Sequence, residues 1–328
     1  MKKKDDFIGG TVKRRSPRSR PWHESSLRKS KIILCLIAVA GLPSMHHASA
    51  LSRRQGTVHY LMVKYGDESA DQKVAAEFLE KLSRYLQSTV PAFRDEVVLG
   101  WIANTPQLAG ELLEKYEPIL AFVPPGFYLE FLNTKEQQST PILQVPRFGS
   151  LDERFYVVTT QNGPNSFSEL KGHCIRTIFA VDLKYLSKIV FPAKFRPGVF
   201  FDLEPSQNLA DEVFLMLENA AGGFGVGEVG AASALLFDEE LKRFFEEDEL
   251  VWPKLKIIWV SASLPRDLVV TIGETWSEES KKQVKGALEN MKNDSTGLEI
   301  LDLMQSSGFV PVDISRLEQV IEKYGRRE

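Results

Sequence analysis

Short apolar runs of strand length alternate with stretches of helical spacing along most of this chain. Residues 57–63 (TVHYLMV), 96–103 (EVVLGWIA) and 118–123 (PILAFV) are rich in β-branched and aromatic residues and have the length of buried strands. Between the first two, Ser69 or Asp71 can cap a helix to about Ser88, with Ala75, Phe78, Leu79, Leu82 and Leu86 on one face. Between the second and third, Thr105 is an N-cap with Pro106 at the first helical position, ahead of Leu108, Leu112 and Leu113. Pro124-Pro125-Gly126 turns into a further helix to about Leu132. This alternation predicts an α/β architecture with a parallel sheet covered by helices on both faces.

The second half repeats the theme. Residues 167–172 (FSELKG) read as a helical turn closed by glycine, 173–178 as a strand, 181–190 as a helix and 199–203 as a strand. Pro205-Ser206 opens a helix to about Asn219, and a glycine-rich stretch, 222–229 (GGFGVGEV), precedes the apolar run 231–236. Two further runs stand out. Residues 155–160 (FYVVTT) lie about a hundred residues before 255–271 (LKIIWVSASLPRDLVVT), which holds two apolar runs, 257–260 and 268–271, parted by Pro265. Pro265 forbids one continuous ladder there. The runs are either two crossings between two lobes or two strands of one large sheet. In the tail, Thr275-Trp276-Ser277-Glu278 fits a capping box, with Val284, Leu288 and Met291 on one helical face.

Charge changes the picture at the N-terminus. Residues 1–50 carry eleven Lys/Arg and three Asp/Glu, a net of +8, and the remaining residues carry thirty basic and forty-one acidic groups, a net of −11. An acidic body is a poor nucleic-acid binder, so no nucleic-acid partner is expected. The basic head is followed by eleven apolar residues, 32–42 (IILCLIAVAGL), and by Ala48-Ser49-Ala50, the order of a secretory signal peptide cleaved after Ala50. The run is short for a membrane span, so contact with the membrane is expected only through this segment or a transporter; an uncleaved anchor is the alternative.

Beyond residue 50 one cysteine, Cys174, and two histidines, His59 and His173, remain. That inventory speaks against an internal disulfide, a Cys–His nucleophile and a His-rich metal site. No metal and no cofactor is expected. Residues 225–230 (GVGEVG) fit a dinucleotide pattern, which alone is weak.

Residues 255–313 carry, in order, the S-x-x-L-P stretch at Ser261–Pro265, the E-x-x-K-K-x-V helix at Glu278–Val284, Gly297 opening a short helix, and the turn Ser307-Gly308-Phe309-Val310-Pro311. With Phe167–Gly172, these resemble the type 2 periplasmic binding proteins, most of all the phosphate/phosphonate-type substrate-binding components of ABC transporters, over roughly residues 57–325. The resemblance implies two α/β lobes joined by two crossing strands around a ligand cleft, with residues 51–155 and 261–328 in one lobe and 156–260 in the other. It implies a small-molecule ligand, an anionic one in this branch, and an ABC permease as partner. It places the ligand at loops after strands and at helix starts: Lys64 and Tyr65, Asn104 and Thr105, Gly126 and Phe127, Thr177, Ser206 and Gln207, with Glu228 as a cleft carboxylate. Backbone N–H groups at such positions suit anions. One departure stands out: the family's Ser/Thr-rich turn after the second lobe's first strand corresponds here to Arg176-Thr177-Ile178-Phe179-Ala180-Val181, with one hydroxyl. A larger, more apolar or differently charged ligand is therefore as compatible as a phosphonate.

The expected function is that of an exported periplasmic solute-binding protein delivering its ligand to an importer. The alternatives are a membrane-anchored sensor of the same fold and an enzyme. No G-x-S-x-G, H-E-x-x-H, P-loop or Cys-x-x-Cys supports the last.

Overall fold

The computed structural model describes residues 56–65, 72–134, 138–206, 208–220, 232–273 and 276–326. The first strand, β1 (Thr57–Val63), and β2 (Val97–Ala103) pair in parallel along their whole length, from Thr57 opposite Val97 to Val63 opposite Ala103. Helix α1 (Gln72–Thr89) connects them and packs Phe78, Leu82, Tyr85 and Leu86 with Tyr60, Met62 and Val98 of the sheet; Ser69 and Asp71, the expected caps, lie outside the described residues. Helix α2 (Pro106–Tyr116) begins as the sequence predicts, with the Thr105 hydroxyl accepting from Leu108 N–H at 3.2 Å and Pro106 in the first turn. Strand β3 (Leu120–Val123) is fully buried and parallel to β1, and leads into α3 (Pro125–Phe127), continued by a wider turn over Tyr128–Leu132.

The sheet is mixed rather than parallel throughout. Strand β4 (Ser139–Gln144) went unread in the sequence because Pro141 interrupts a run with few apolar residues. It pairs antiparallel with the strand Leu268–Ile272, and the register shifts between Val269 and Val270, at the proline. That strand runs against β3 as well, because the chain re-enters this sheet from the opposite end after its excursion.

Between β4 and the return lie the elements of a second sheet. The short β5 (Asp152–Glu153) leads to β6 (Tyr156–Thr160), β7 (Cys174–Thr177), β8 (Asp202–Pro205), β9 (Ala234–Phe237) and β10 (Leu255–Val260), in the spatial order β10-β6-β9-β7-β8. The run at 155–160 and the run at 257–260 are thus antiparallel neighbours in this sheet. The passage between the sheets is made by β5 and β11 (Leu264–Pro265), which form a two-residue ribbon with Leu264 opposite Glu153 and Pro265 opposite Asp152. Arg316 clasps it, binding the Asp152 carboxylate and the Ser263 hydroxyl. Strand β12 (Leu268–Ile272) and β13 (Val310–Pro311) complete the first sheet in the order β13-β4-β12-β3-β1-β2.

Two elements of the second unit differ from the sequence reading. The strand expected at 199–203 starts at Asp202; Val199 is 80% exposed, whereas Phe201 is buried against Phe167 and Phe191. An apolar run that looked like strand serves instead to build an aromatic cluster. After the short α4 (Leu183–Tyr185) and β8, the helix expected from Pro205-Ser206 starts later, as α5 (Leu209–Ala220). Pro205 closes β8 opposite Thr177, and the Asn208 carboxamide caps the helix, accepting from Ala210 N–H at 3.0 Å and Asp211 N–H at 3.3 Å. The helix read over 181–190 is present, as a tight turn over Ile178–Asp182, α4 and a wider turn over Leu186–Val190 in succession.

Helix α6 (Glu239–Glu246), capped by Asp238, follows β9. The tail holds α7 (Glu278–Asn290), α8 (Ser295–Leu303) and α9 (Ile314–Gly325). Ser277 caps α7, accepting from Ser280 N–H at 3.0 Å, and Val284, Leu288 and Met291 are completely buried as their spacing requires. Thr275 lies outside the described residues. No described helix is long and apolar enough to cross a membrane.

Candidate functional site

The parallel strands β1, β3, β7 and β9 end on one cavity of about 410 Å³, the place where open α/β sheets hold ligands. From the first sheet come Val63, Lys64 and Tyr65 after β1, and Pro124, Pro125 and Gly126 after β3. From the second come Ile178, Phe179, Asp182 and Tyr185 after β7, and Asp238, Glu240 and Leu241 after β9. The β5–β11 ribbon adds Glu153, Phe155, Arg266 and Asp267, and Arg147 enters from the segment after β4.

Gly126 allows the closest approach. A Cβ there would overlap the Asp182 carboxylate and stand 3.0 Å from the Tyr185 Cβ, so only glycine lets the α3 turn meet the 182–185 turn. Asp182 is buried and accepts from Tyr185 N–H at 3.4 Å. Burial pushes its carboxyl up to about 7, against the pull of that N–H, with Glu130 adding to the rise. Burial also raises the Tyr65 phenol, and Asp182, Glu130 and Tyr324 reinforce the effect.

Charge crosses the cavity through Arg147. Its guanidinium binds Glu240 at 2.6 Å, on the second unit, and Asp267 at 2.9 Å, at the head of β12. Asp238 is held by Leu241 N–H at 2.8 Å. Glu153 is raised by desolvation and by Asp238 and Asp267; Arg266, at 4.0 Å, and Arg147 offset this only in part.

Among the described residues, two buried donors at this cavity have no hydrogen-bond partner. Arg266 is 2% exposed; its Nε binds the Asp152 carbonyl at 2.8 Å, while Nη2 is unsatisfied. Tyr185 is 4% exposed and its hydroxyl is unsatisfied, its ionisation strongly opposed by burial and by Glu153, Asp182 and Asp267. An orphaned buried donor costs about 1–3 kcal/mol, which an incoming acceptor would recover.

Of the residues singled out in the sequence, Lys64, Tyr65 and Gly126 line the cavity. Phe127 is fully buried and stacks on Phe131 at 4.7 Å. Thr177 lies just beneath the lining, its hydroxyl donating to Leu236 O at 3.0 Å and accepting from Phe179 N–H at 3.2 Å. Asn104 and Thr105 are not among the lining residues, and Thr105 is occupied as a cap. Ser206 is buried away from the lining, its N–H held by Thr177 O at 2.9 Å. Gln207 and Glu228 lie outside the described residues. Arg147, Glu153, Asp182, Tyr185 and Arg266 went unmarked in the sequence. A charged residue inside an apolar run, such as Asp182 within 178–190, or beside a strand-breaking proline, such as Arg266, was the available signal. Cys174 sits half-buried on β7, away from the cavity lining, its thiol pushed up to about 12 by burial.

Solved structures share this fold. XAC2383 from Xanthomonas citri, solved bound to chloride and again bound to ATP, superposes with TM-scores of 0.63 and 0.62 at 13% and 12% identity, covering 82% of this chain and 97% of that one. A binding-protein component of an ABC phosphonate transporter from Pseudomonas aeruginosa gives a TM-score of 0.57 at 12% identity, over 82% of this chain and 88% of its own. PhnD1 from Prochlorococcus marinus, in complex with methylphosphonate, gives 0.56 at 13% identity, over 81% and 96%. At such identities the likeness establishes the fold, a two-lobe periplasmic-binding-protein architecture. No curated protein sequence matches the chain significantly. Residues 69–317 match the family described as ABC transporter, phosphonate, periplasmic substrate-binding protein. That match spans most of the sequence, and this chain belongs to the phosphonate-type periplasmic substrate-binding proteins of ABC transporters.

Proposed function

We propose that this protein captures a small molecule in the cavity between its two sheets and presents the closed, loaded form to the permease of an ABC importer. The family binds and delivers substrate rather than turning it over. The observation that carries the reading is the pair of buried, unpartnered donors, Arg266 Nη2 and Tyr185 Oη, in a cavity whose walls come from both sheets. Lys64, Tyr65, Gly126, Glu153, Asp182 and Arg147 are the other ligand-facing groups in this proposal.

The lobes divide at residues 155 and 260, with 51–155 and 261–328 on one side. Ligand favours closure because only the closed form touches it from both walls. Thermal-shift screening against a periplasmic metabolite extract should raise the melting temperature, since a ligand stabilises by RT ln(1 + [L]/Kd). Small-angle scattering on the same sample should show a smaller radius of gyration. An extract that moves neither quantity contradicts the reading.

Export follows from residues 1–50, with cleavage after Ala50. Intact-mass analysis of protein from the native envelope should find Leu51 at the N-terminus; a chain starting at Met1 refutes cleavage.

A further inference from the structure

The cavity lining holds more carboxyl groups than cations. Lys64, Arg147 and Arg266 stand against Glu153, Asp182, Asp238, Glu240 and Asp267. Arg147 is already engaged by Glu240 and Asp267, and Asp238 by the start of α6. Facing the cavity beside Lys64 are two carboxyls, Asp182 and Glu153, the latter 4.0 Å from Arg266 Nη1, and two unsatisfied donors, Arg266 Nη2 and Tyr185 Oη.

A doubly charged oxyanion would satisfy the donors but would leave Asp182 and Glu153 without a cation in a desolvated space, where they could ionise only against strong like-charge repulsion. A simple amine would pair with the carboxylates and leave Arg266 and Tyr185 orphaned. A molecule carrying both a cation and a singly charged anion satisfies all four groups and adds no net charge to the site. The turn after β7 agrees with this. It presents Ile178 and Phe179 to the cavity, and its one hydroxyl, on Thr177, is already bonded to Leu236 and Phe179. Phe155 and Phe179, edge-to-face at 5.4 Å, supply an apolar wall for the body of such a molecule.

We infer that the ligand is a compact zwitterion whose acidic group bears one negative charge, of the amino-carboxylate or amino-sulfonate class. The acid lies against Arg266 and Tyr185, and the ammonium against Asp182 and Glu153. This rests on the capture function proposed above and specifies its substrate class.

The test is calorimetric titration and thermal shift of the purified protein with four probes: β-alanine, taurine, methylphosphonate and inorganic phosphate. At least one zwitterion should bind tenfold or more tightly than either oxyanion. D182N, which keeps an oxygen for Tyr185 N–H, should reduce zwitterion affinity tenfold or more. Y185F should weaken binding without lowering the melting temperature of the ligand-free protein, because the hydroxyl it removes has no partner there. Tighter binding of methylphosphonate or phosphate overturns the charge assignment and leaves the capture function standing. So does failure of all four probes when a metabolite extract still raises the melting temperature. If the extract fails too, the capture function falls with the assignment. Undiminished zwitterion binding by both D182N and Y185F also refutes the placement.

Discussion

The two units of this protein meet in two places that use opposite chemistry. At the cavity, Arg147 spans from the segment after β4 to Glu240 with a side chain only 15% exposed, and the carboxyls of Asp267, Glu153 and Asp238 also act on it. At the second meeting place, Lys184 reaches Glu130 at 3.4 Å with a side chain 49% exposed. There Lys184 and Lys188 lie over the Tyr324 ring at 4.9 and 5.5 Å, and Lys188 and Lys323 each donate to a backbone carbonyl, of Tyr324 and Ile189, at 2.8 Å. Contacts of the second kind are screened and individually weak. Those of the first kind are costly when incomplete. The difference separates two tasks: the exposed lysine–tyrosine contact holds the lobes together, while the cavity stores unsatisfied polar groups that a ligand completes.

The comparison breaks first at Arg147. R147A leaves Glu240 and Asp267 without their partner, and should cost about 3 kcal/mol, the low end for a broken buried pair because both partners are partly exposed. Chemical denaturation should show the loss; a change below about 1 kcal/mol would put this pair in the same class as the exposed ones.

G126A comes next. Its methyl group would overlap the Asp182 carboxylate, and overpacking of this kind costs about 1–3 kcal/mol. The penalty falls on the closed form, so with ligand present scattering should report a larger radius of gyration than the parent, and ligand affinity should drop. An unchanged radius with unchanged affinity would mean the two turns part without consequence.

The pH dependence is smaller and has a defined sign. Asp182 titrates near 7 in the folded protein against an ordinary 3.8. Between those values the folded state holds a proton that the unfolded state has lost, so ligand-free stability falls as pH rises from about 4 to about 7. The limiting slope for one group is about 1.4 kcal/mol per pH unit. Glu153, raised in the same direction, extends the decline upward. D182N should flatten the lower part of the curve. A stability that rises with pH across this window would contradict the burial of these carboxyls.

K184A should have the least effect, within about 1 kcal/mol by denaturation, with only a small change in ligand affinity through its charge near Asp182. A larger loss would make the exposed contact an equal partner to the cavity in holding the units together.

Much of the scaffold was readable in the sequence because it follows from local rules. β1 and β3 are apolar runs of strand length, Thr105-Pro106 starts α2, and the Val284–Leu288–Met291 stripe is fully buried. What escaped depends on contacts far apart in the chain. β4 holds its place despite Pro141 because β12 and β13 flank it. The residues 199–201 resemble a strand, but Phe201 packs with Phe167 and Phe191 instead.

The site divides in the same way. Lys64, Tyr65 and Gly126 line the cavity because they follow β1 and β3, positions that the alternation of strand and helix already marks. Arg147, Glu153, Tyr185 and Arg266 converge only once the β5–β11 ribbon and the 182–185 turn are folded against each other, and no spacing in the sequence announces that meeting. Asn104 and Ser206 sit where loops or helix starts were expected but are not part of the lining.

The most direct test is a crystal structure of the protein with the ligand it retains from its native envelope. The ligand should lie between the two sheets, with an acceptor within hydrogen-bond distance of both Arg266 Nη2 and Tyr185 Oη. A ligand bound elsewhere, or one that leaves both donors unpartnered, would contradict the site.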